Sequence, residues 1–148
     1  MGNLYHYTES GLDNIYLVNG FSHSETVYGK GIEIERMDKL HVAIGVDICN
    51  SATPLTPREF RFLRVEMGLS QKNLGEFMGV DAQTIARWEK GQSSSTIADR
   101  FIRALYLEHV KENSSLKELC DELSQIDNKE SKDKSFELDS STGWHIAA

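Results

Sequence analysis

The densest apolar pattern lies in the middle of the chain. Thr56-Pro57 supplies a helix N-cap and then proline at the first helical position. Phe60, Leu63 and Met67 follow at spacings of three and four, the repeat of one helix face, and Gly68 closes that helix. Ser70 caps the next, with Leu74, Phe77 and Met78 as its buried face and Gly79 as its stop. Asp81 caps a third, which turns Ile85 and Trp88 inward and ends at Gly91. Ser95 or Thr96 opens a longer helix with Ile97, Phe101, Ile102, Leu105, Tyr106 and Val110 inward. A fifth helix is expected from about Ser115, carrying Leu116, Leu119, Cys120 and Leu123.

The flanks follow other rhythms. Ile15-Tyr16-Leu17-Val18 is a short apolar run that ends at the turn signal Asn19-Gly20. Glu25-Thr26-Val27-Tyr28 runs into Gly29-Lys30-Gly31, and Ile32-Glu33-Ile34-Glu35 alternates as a half-buried strand does. A small hairpin or three-stranded sheet is expected here, too small to be stable unless it packs on something. Tyr5, Tyr7, Tyr16, Phe21 and Tyr28 would be its packing face, with a partner-binding surface as the alternative. Asp38 is expected to cap a short helix through Leu40, Val42, Ala43 and Ile44, its length left open by Gly45. Pro54 and Pro57, the two prolines of the chain, mark a boundary. Beyond the helical middle, residues 127–135 hold no apolar side chain and read as a flexible linker. Phe136 and Leu138, then Trp144 and Ile146, alternate around Ser140-Ser141-Thr142-Gly143, which fits either a hairpin or a frayed tail.

The chain therefore divides into a β-containing extension over 1–52 serving dimerisation or partner binding, a helical domain over 53–112, and a C-terminal helix, acidic linker and tail over 113–148. The fold class is mainly α, with four to five helices.

Composition changes this picture in one respect. The 148 residues carry a net charge of -7, which taken globally argues against a nucleic-acid partner. The distribution reverses that inference. Residues 1–52 hold three basic and seven acidic side chains and residues 113–148 hold four and eight, whereas residues 53–112 hold nine basic and eight acidic ones. The acid sits at the ends, and the middle is free to present a basic face. No apolar run approaches the ~18 residues of a membrane helix, and the N-terminus lacks a basic region followed by an apolar one. The expectation is a cytoplasmic protein with no membrane partner. Cys49 and Cys120 form no CxxC pair and are expected as free thiols. The five histidines are scattered, so neither a metal nor another cofactor is expected. No nucleophile–base pair, paired carboxylates or phosphate-cradling glycine loop stands out, so an enzyme is not expected.

The segment Leu69 to Gly91 carries the chemistry. It reads helix, tight turn, helix. Gly75 is small where the two helices approach, Gly79 permits the left-handed backbone that stops the first, and Val80 plugs the angle between them. Ile85 and Trp88 hold the second helix to the core. Left on its outward face are Ala82, Gln83, Ala86, Arg87 and Lys90. Gln83 and Arg87 stand four apart and project together. Glutamine matches adenine N6 and N7, and arginine matches guanine O6 and N7, in the major groove. These two are the candidate base readers. Gln71, with the first-turn amides, is expected at the phosphate backbone. Lys72, Lys90 and Ser93 are further phosphate candidates, and Ala82 and Thr84 supporting positions.

Leu69-Ser70-Gln71-Lys72-Asn73-Leu74 and Val80-Asp81-Ala82-Gln83-Thr84-Ile85-Ala86-Arg87-Trp88-Glu89-Lys90-Gly91 resemble the Xre-type, lambda-repressor-like helix-turn-helix domain of transcriptional regulators. The Arg-Trp-Glu-Lys-Gly ending and the preceding Leu55-Thr56-Pro57-Arg58-Glu59-Phe60 are most similar to the MqsA/YgiT-type antitoxin regulators. A fainter likeness covers Ser10 to Leu17. The resemblance implies a homodimer on a palindromic operator in double-stranded DNA, bases read at the positions of Gln83 and Arg87, and a cognate toxin as a second partner. The chain departs from that family in having no cysteine before Cys49, so the paired CxxC zinc site of the family's N-terminal domain is missing.

Overall fold

The structure, a computed structural model, describes residues 4–111 and 135–147. Strand β1 (Tyr5–His6) pairs antiparallel with β2 (Tyr16–Leu17), a turn of 3-10 helix at Thr8–Ser10 lying between them. Strands β3 (Phe21–Thr26) and β4 (Gly29–Ile34) form a separate hairpin, Phe21 opposite Ile34 and Thr26 opposite Gly29. The extension is thus two two-stranded ladders rather than one hairpin or a three-stranded sheet, because the chain leaves β2 through the Val18-Asn19-Gly20 bend after only two paired residues. The expected aromatic face gathers only in part. Tyr7 is buried, and Tyr5 packs on Phe21 with ring centroids 5.5 Å apart. Tyr16 instead stacks on His6 at 4.4 Å, and Tyr28 stands in the β3–β4 turn fully in solvent.

Helix α1 (Met37–Cys49) is longer than Gly45 suggested. Its N-cap is Arg36, in the left-handed region at φ 50°, and Asp38 lies inside the first turn. There its carboxylate faces the positive helix end instead of capping it. Gly45 does not interrupt α1 because it is a contact point: a Cβ there would fall within the ring of Tyr106. Helix α2 (Pro57–Glu66) starts as expected, in a full capping box. Thr56 Oγ1 accepts from the Glu59 amide at 3.1 Å, and Glu59 Oε1 accepts from the Thr56 amide at 2.9 Å. Helices α3 (Gln71–Met78), α4 (Ala82–Lys90) and α5 (Thr96–Val110) are capped by Ser70, Asp81 and Ser95.

These helices close around Phe60, Leu63, Leu74, Ile85, Ile102 and Tyr106, the largest fully buried side chains. Tyr7, Leu12 and Leu17 bring the N-terminal ladders onto the same core. Among the described helical residues, one inward assignment fails. Ile97 is 82% exposed. With Ser95 as cap, the inward stripe of α5 runs through Ala98, Asp99, Ile102, Leu105 and Tyr106, one residue out of phase with Ile97.

Asp99 and Arg103 sit on or beside that stripe and are consumed internally. Asp99 Oδ2 accepts from the Leu55 amide at 2.8 Å, and Arg103 Nε donates to Asp99 Oδ1 at 2.7 Å. Arg103 also donates to the carbonyls of Ser51 and Thr53, each at 2.6 Å. The α1–α2 connection is thereby pinned to α5.

At the C-terminus, β5 (Phe136–Asp139) and β6 (Gly143–Ile146) form an antiparallel hairpin, with Leu138 opposite Trp144. That is the hairpin alternative of the two expected. The helix expected from Ser115, Cys120 and nearly all of the linker lie outside the described residues. Cys49 is a buried free thiol whose pKa burial pushes up to about 11, so it remains an unreactive thiol at neutral pH.

The contact at Gly45 sets a sign. An unhindered glycine inside a helix gains about 0.5–1 kcal/mol on change to alanine. Gly45→Ala is expected instead to displace Tyr106 and destabilise the fold by about 1–3 kcal/mol. Urea unfolding measures this, and a stabilised variant would refute the α1–α5 packing.

Candidate nucleic-acid interface

The angle between α3 and α4 is built from backbone contact. A Cβ on Gly75 would lie 2.5 Å from the carbonyl oxygen of Val80, so only glycine lets the α3 backbone approach the turn this closely. Gly79 ends α3 at φ 72°, in the left-handed region. Asp81 then starts α4, its Oδ1 accepting from the Thr84 amide at 2.8 Å and the Thr84 hydroxyl at 2.7 Å. Those two bonds hold the Asp81 carboxyl below the usual carboxylate range. A depressed folded pKa adds stability that is complete above the unfolded value and lost as pH falls through the folded one, so this cap weakens only in acid.

The inner face of α4 is fixed by Ile85, fully buried, and by Trp88, which meets Phe60 edge-on with centroids 5.7 Å apart. Beside Trp88 lies Glu89, its side chain 3% exposed. Arg64 of α2 grips it with two parallel bonds, Nε to Oε2 at 2.6 Å and Nη2 to Oε1 at 2.9 Å. The remaining arm of Arg64 donates to the Leu69 carbonyl at 2.9 Å, in the loop before α3. Gln71, at the first turn of α3, donates from its carboxamide to Glu89 Oε1 at 3.2 Å. One carboxylate thus ties together α2, α3 and α4.

The outer face of α4 is open. Gln83, Arg87 and Lys90 are exposed, with Ala82, Thr84 and Ala86 half-buried between them. Arg87 is held from below, its Nη2 donating to Thr84 Oγ1 at 3.0 Å. Lys72 is exposed on α3 and Ser93 in the α4–α5 loop. Gln71 is half-buried, and one N–H of its carboxamide is directed to Glu89. The fold therefore brings Gln83, Arg87 and Lys90 onto one helix face, Thr84 beneath them.

Sequence reasoning missed Arg64 and Glu89, although a signal was present. Phe60, Leu63, Arg64 and Met67 follow the i, i+3, i+4, i+7 stripe, and Ile85, Trp88 and Glu89 the i, i+3, i+4 stripe. A charge on an apolar stripe has to be paired, because burying it alone is prohibitive. Two such charges of opposite sign, one per stripe, imply each other. Among the described residues no group of His, Cys, Asp and Glu is arranged to hold a metal ion, and no helix is long and apolar enough to cross a membrane.

The helix-turn-helix family matches residues 60–100, from within α2 to within α5. The chain belongs to the helix-turn-helix family. Over 51 residues it is 45% identical to an uncharacterized HTH-type transcriptional regulator of Methanothermobacter thermautotrophicus, a stretch that covers 33% of this chain and 74% of that protein. No solved structure matches the chain. Within this helix-turn-helix, α3 is the first helix, Gly79 and Val80 the turn, and α4 the second helix.

Removing one member of a buried ion pair leaves an uncompensated charge and costs about 3–5 kcal/mol. Glu89→Ala is expected to fall in that range by urea unfolding. Joint replacement of Arg64 and Glu89 by methionine is expected to recover most of the loss, since the charge is then gone on both sides. A double variant as unstable as the single one would contradict the pairing.

Proposed function

We propose that this protein is a sequence-specific DNA-binding transcriptional regulator that lays α4 in the major groove. The observation that carries this reading is the split character of α4. Its inner face is committed to Phe60, Arg64 and the core, while Gln83 and Arg87 stand four residues apart, exposed and without a packing role. Glutamine and arginine are the side chains whose paired donors and acceptors fit adenine and guanine edges. Lys72, Lys90 and Ser93, with the first-turn amides of α3 and Gln71, then lie where phosphates pass. The relative's name, HTH-type transcriptional regulator, supports the same conclusion.

A single helix-turn-helix reads few base pairs. A homodimer on a palindromic operator, its half-sites about one helical turn or 34 Å apart, doubles the contacts, and seated over a promoter it acts as a repressor. The N-terminal extension or α5 would supply the dimer contact.

A second, compatible reading makes the extension a docking element for a cognate toxin. Val27 and Tyr28, each 97% exposed in the β3–β4 turn, favour it, since large apolar side chains held in solvent are natural anchors for a protein partner. Co-expression with the product of the adjacent reading frame tests this: rescue of growth supports it, and a toxic neighbour that the protein neither binds nor neutralises counts against it for that pair.

For the DNA reading, duplexes are enriched from a random pool by the wild-type protein and affinities measured on the winner. Arg87→Ala is expected to lose about 1–3 kcal/mol and relax preference at one position per half-site. Lys90→Ala is expected to weaken all sequences alike and lower the slope of log affinity against log salt by about 1. Unchanged preference in the Arg87 variant would remove α4 from the role of base reader.

A further inference from the structure

The cap of α4 and its candidate base reader share one hydroxyl. Thr84 Oγ1 donates to Asp81 Oδ1 at 2.7 Å and accepts from Arg87 Nη2 at 3.0 Å. A hydroxyl has a single hydrogen. Once that hydrogen is given to Asp81, only lone pairs remain to face Arg87, so the contact to the guanidinium has a fixed direction. Asp81 is itself immobilised, because the same carboxylate oxygen accepts from the Thr84 amide at 2.8 Å as the helix cap. The three side chains sit at Asp81, Thr84 and Arg87, three residues apart each time, which places them in one row along α4.

Resting on the reading of α4 given above, we infer that Thr84 is a positioning residue for base recognition, holding the Arg87 guanidinium in the orientation that reads a guanine edge. Arginine has five N–H donors in a rigid planar fork. One goes to Thr84, and enough remain for the paired bonds that O6 and N7 of guanine accept. Free of this contact, an exposed arginine samples many rotamers, most of them aimed at solvent or phosphate, and that freedom is lost on binding a base. With the contact in place, part of the ordering is already present in the unbound protein. The consequence is selective. A phosphate accepts an arginine from many directions, whereas a base edge requires the planar fork in register, so loss of Thr84 should weaken discrimination more than general affinity.

The role also separates Thr84 from a simple capping residue. The amide of Thr84, not its side chain, completes the Asp81 cap, so Thr84→Val leaves that cap intact while removing the acceptor. Thr84→Ser keeps the hydroxyl and both of its bonds.

The test uses the full chain and the duplex enriched by the wild-type protein, together with three duplexes substituted at the base pair most sensitive to Arg87→Ala. Circular dichroism and urea midpoints verify that each variant is folded. Thr84→Val is expected to lower the preference for the enriched base pair by roughly 3- to 10-fold, Thr84→Ser is expected to restore it, and Thr84→Val is expected to add nothing in an Arg87→Ala background. Equal weakening on all four duplexes, or the same loss with Arg87 already absent, would overturn the positioning role and leave Thr84 a structural residue of α4. An Arg87→Ala variant with unaltered base preference would refute base reading by Arg87, a distinct failure that takes the inference with it. A random pool that yields no enrichment would overturn both.

Discussion

The buried pair of Arg64 and Glu89 is the interaction on which the rest of the site depends. It joins the end of α2 to the end of α4 by two parallel charge-assisted bonds, and through Leu69 and Gln71 it draws in the loop and first turn of α3. A hydrophobic contact at the same place would hold the helices together without fixing their rotation. Two planar groups in fork-to-fork register fix both the distance and the angle. Taking the charges out of water costs much of what their attraction returns, so the pair's worth lies less in net stability than in orientation. Its position, directly behind the face that carries Gln83 and Arg87, is where orientation matters.

Around this centre, the remaining polar contacts inside the fold perform the same task for other segments. Arg103 gathers the carbonyls of Ser51 and Thr53, and Asp99 takes the Leu55 amide, so the connection between α1 and α2 is fixed on α5. His41 joins three elements: its Nε2 is hydrogen-bonded to the Tyr7 hydroxyl at 2.7 Å, its Nδ1 meets the Glu66 carboxylate, and its backbone carbonyl accepts from Tyr106. Burial pushes the Tyr7 and Tyr106 hydroxyls up, the latter to about 12, so both stay protonated at neutral pH. The N-terminal ladders are thus connected to the end of α2, at Glu66, two residues after the Arg64 that holds Glu89.

What the sequence made legible follows from how local each signal was. The starts of α2, α3 and α4 were readable because their caps are local events, a side chain bonding an amide three residues away. Gly75 and Gly79 were readable because tight helix turns leave few alternatives. Distant partners were harder. The phase of α5 slipped at Ile97 because apolar content alone cannot tell that Asp99 belongs inside; only the Leu55 amide and Arg103, far away along the chain, make that burial possible. The cap of α1 was misplaced onto Asp38 because Arg36 takes up a left-handed backbone that its residue type does not announce. The outward character of Gln83 and Arg87 was readable by subtraction, once Ile85 and Trp88 were assigned inward. Thr84 was legible as a supporting position, but its bond to Arg87 was not, since Asp81 and Thr84 look like an ordinary capping turn until the hydroxyl is placed.

The proposed contact between the outer face of α4 and DNA can be checked residue by residue. Backbone amide chemical shifts of the full chain, recorded with and without a duplex enriched from a random pool, test it most directly. The largest changes are expected on Gln83, Thr84, Arg87 and Lys90 and on the first turn of α3, with the buried amides around Ile85 and Ile102 nearly unmoved. Changes centred on the β3–β4 turn or the C-terminal hairpin, with α4 undisturbed, would contradict it.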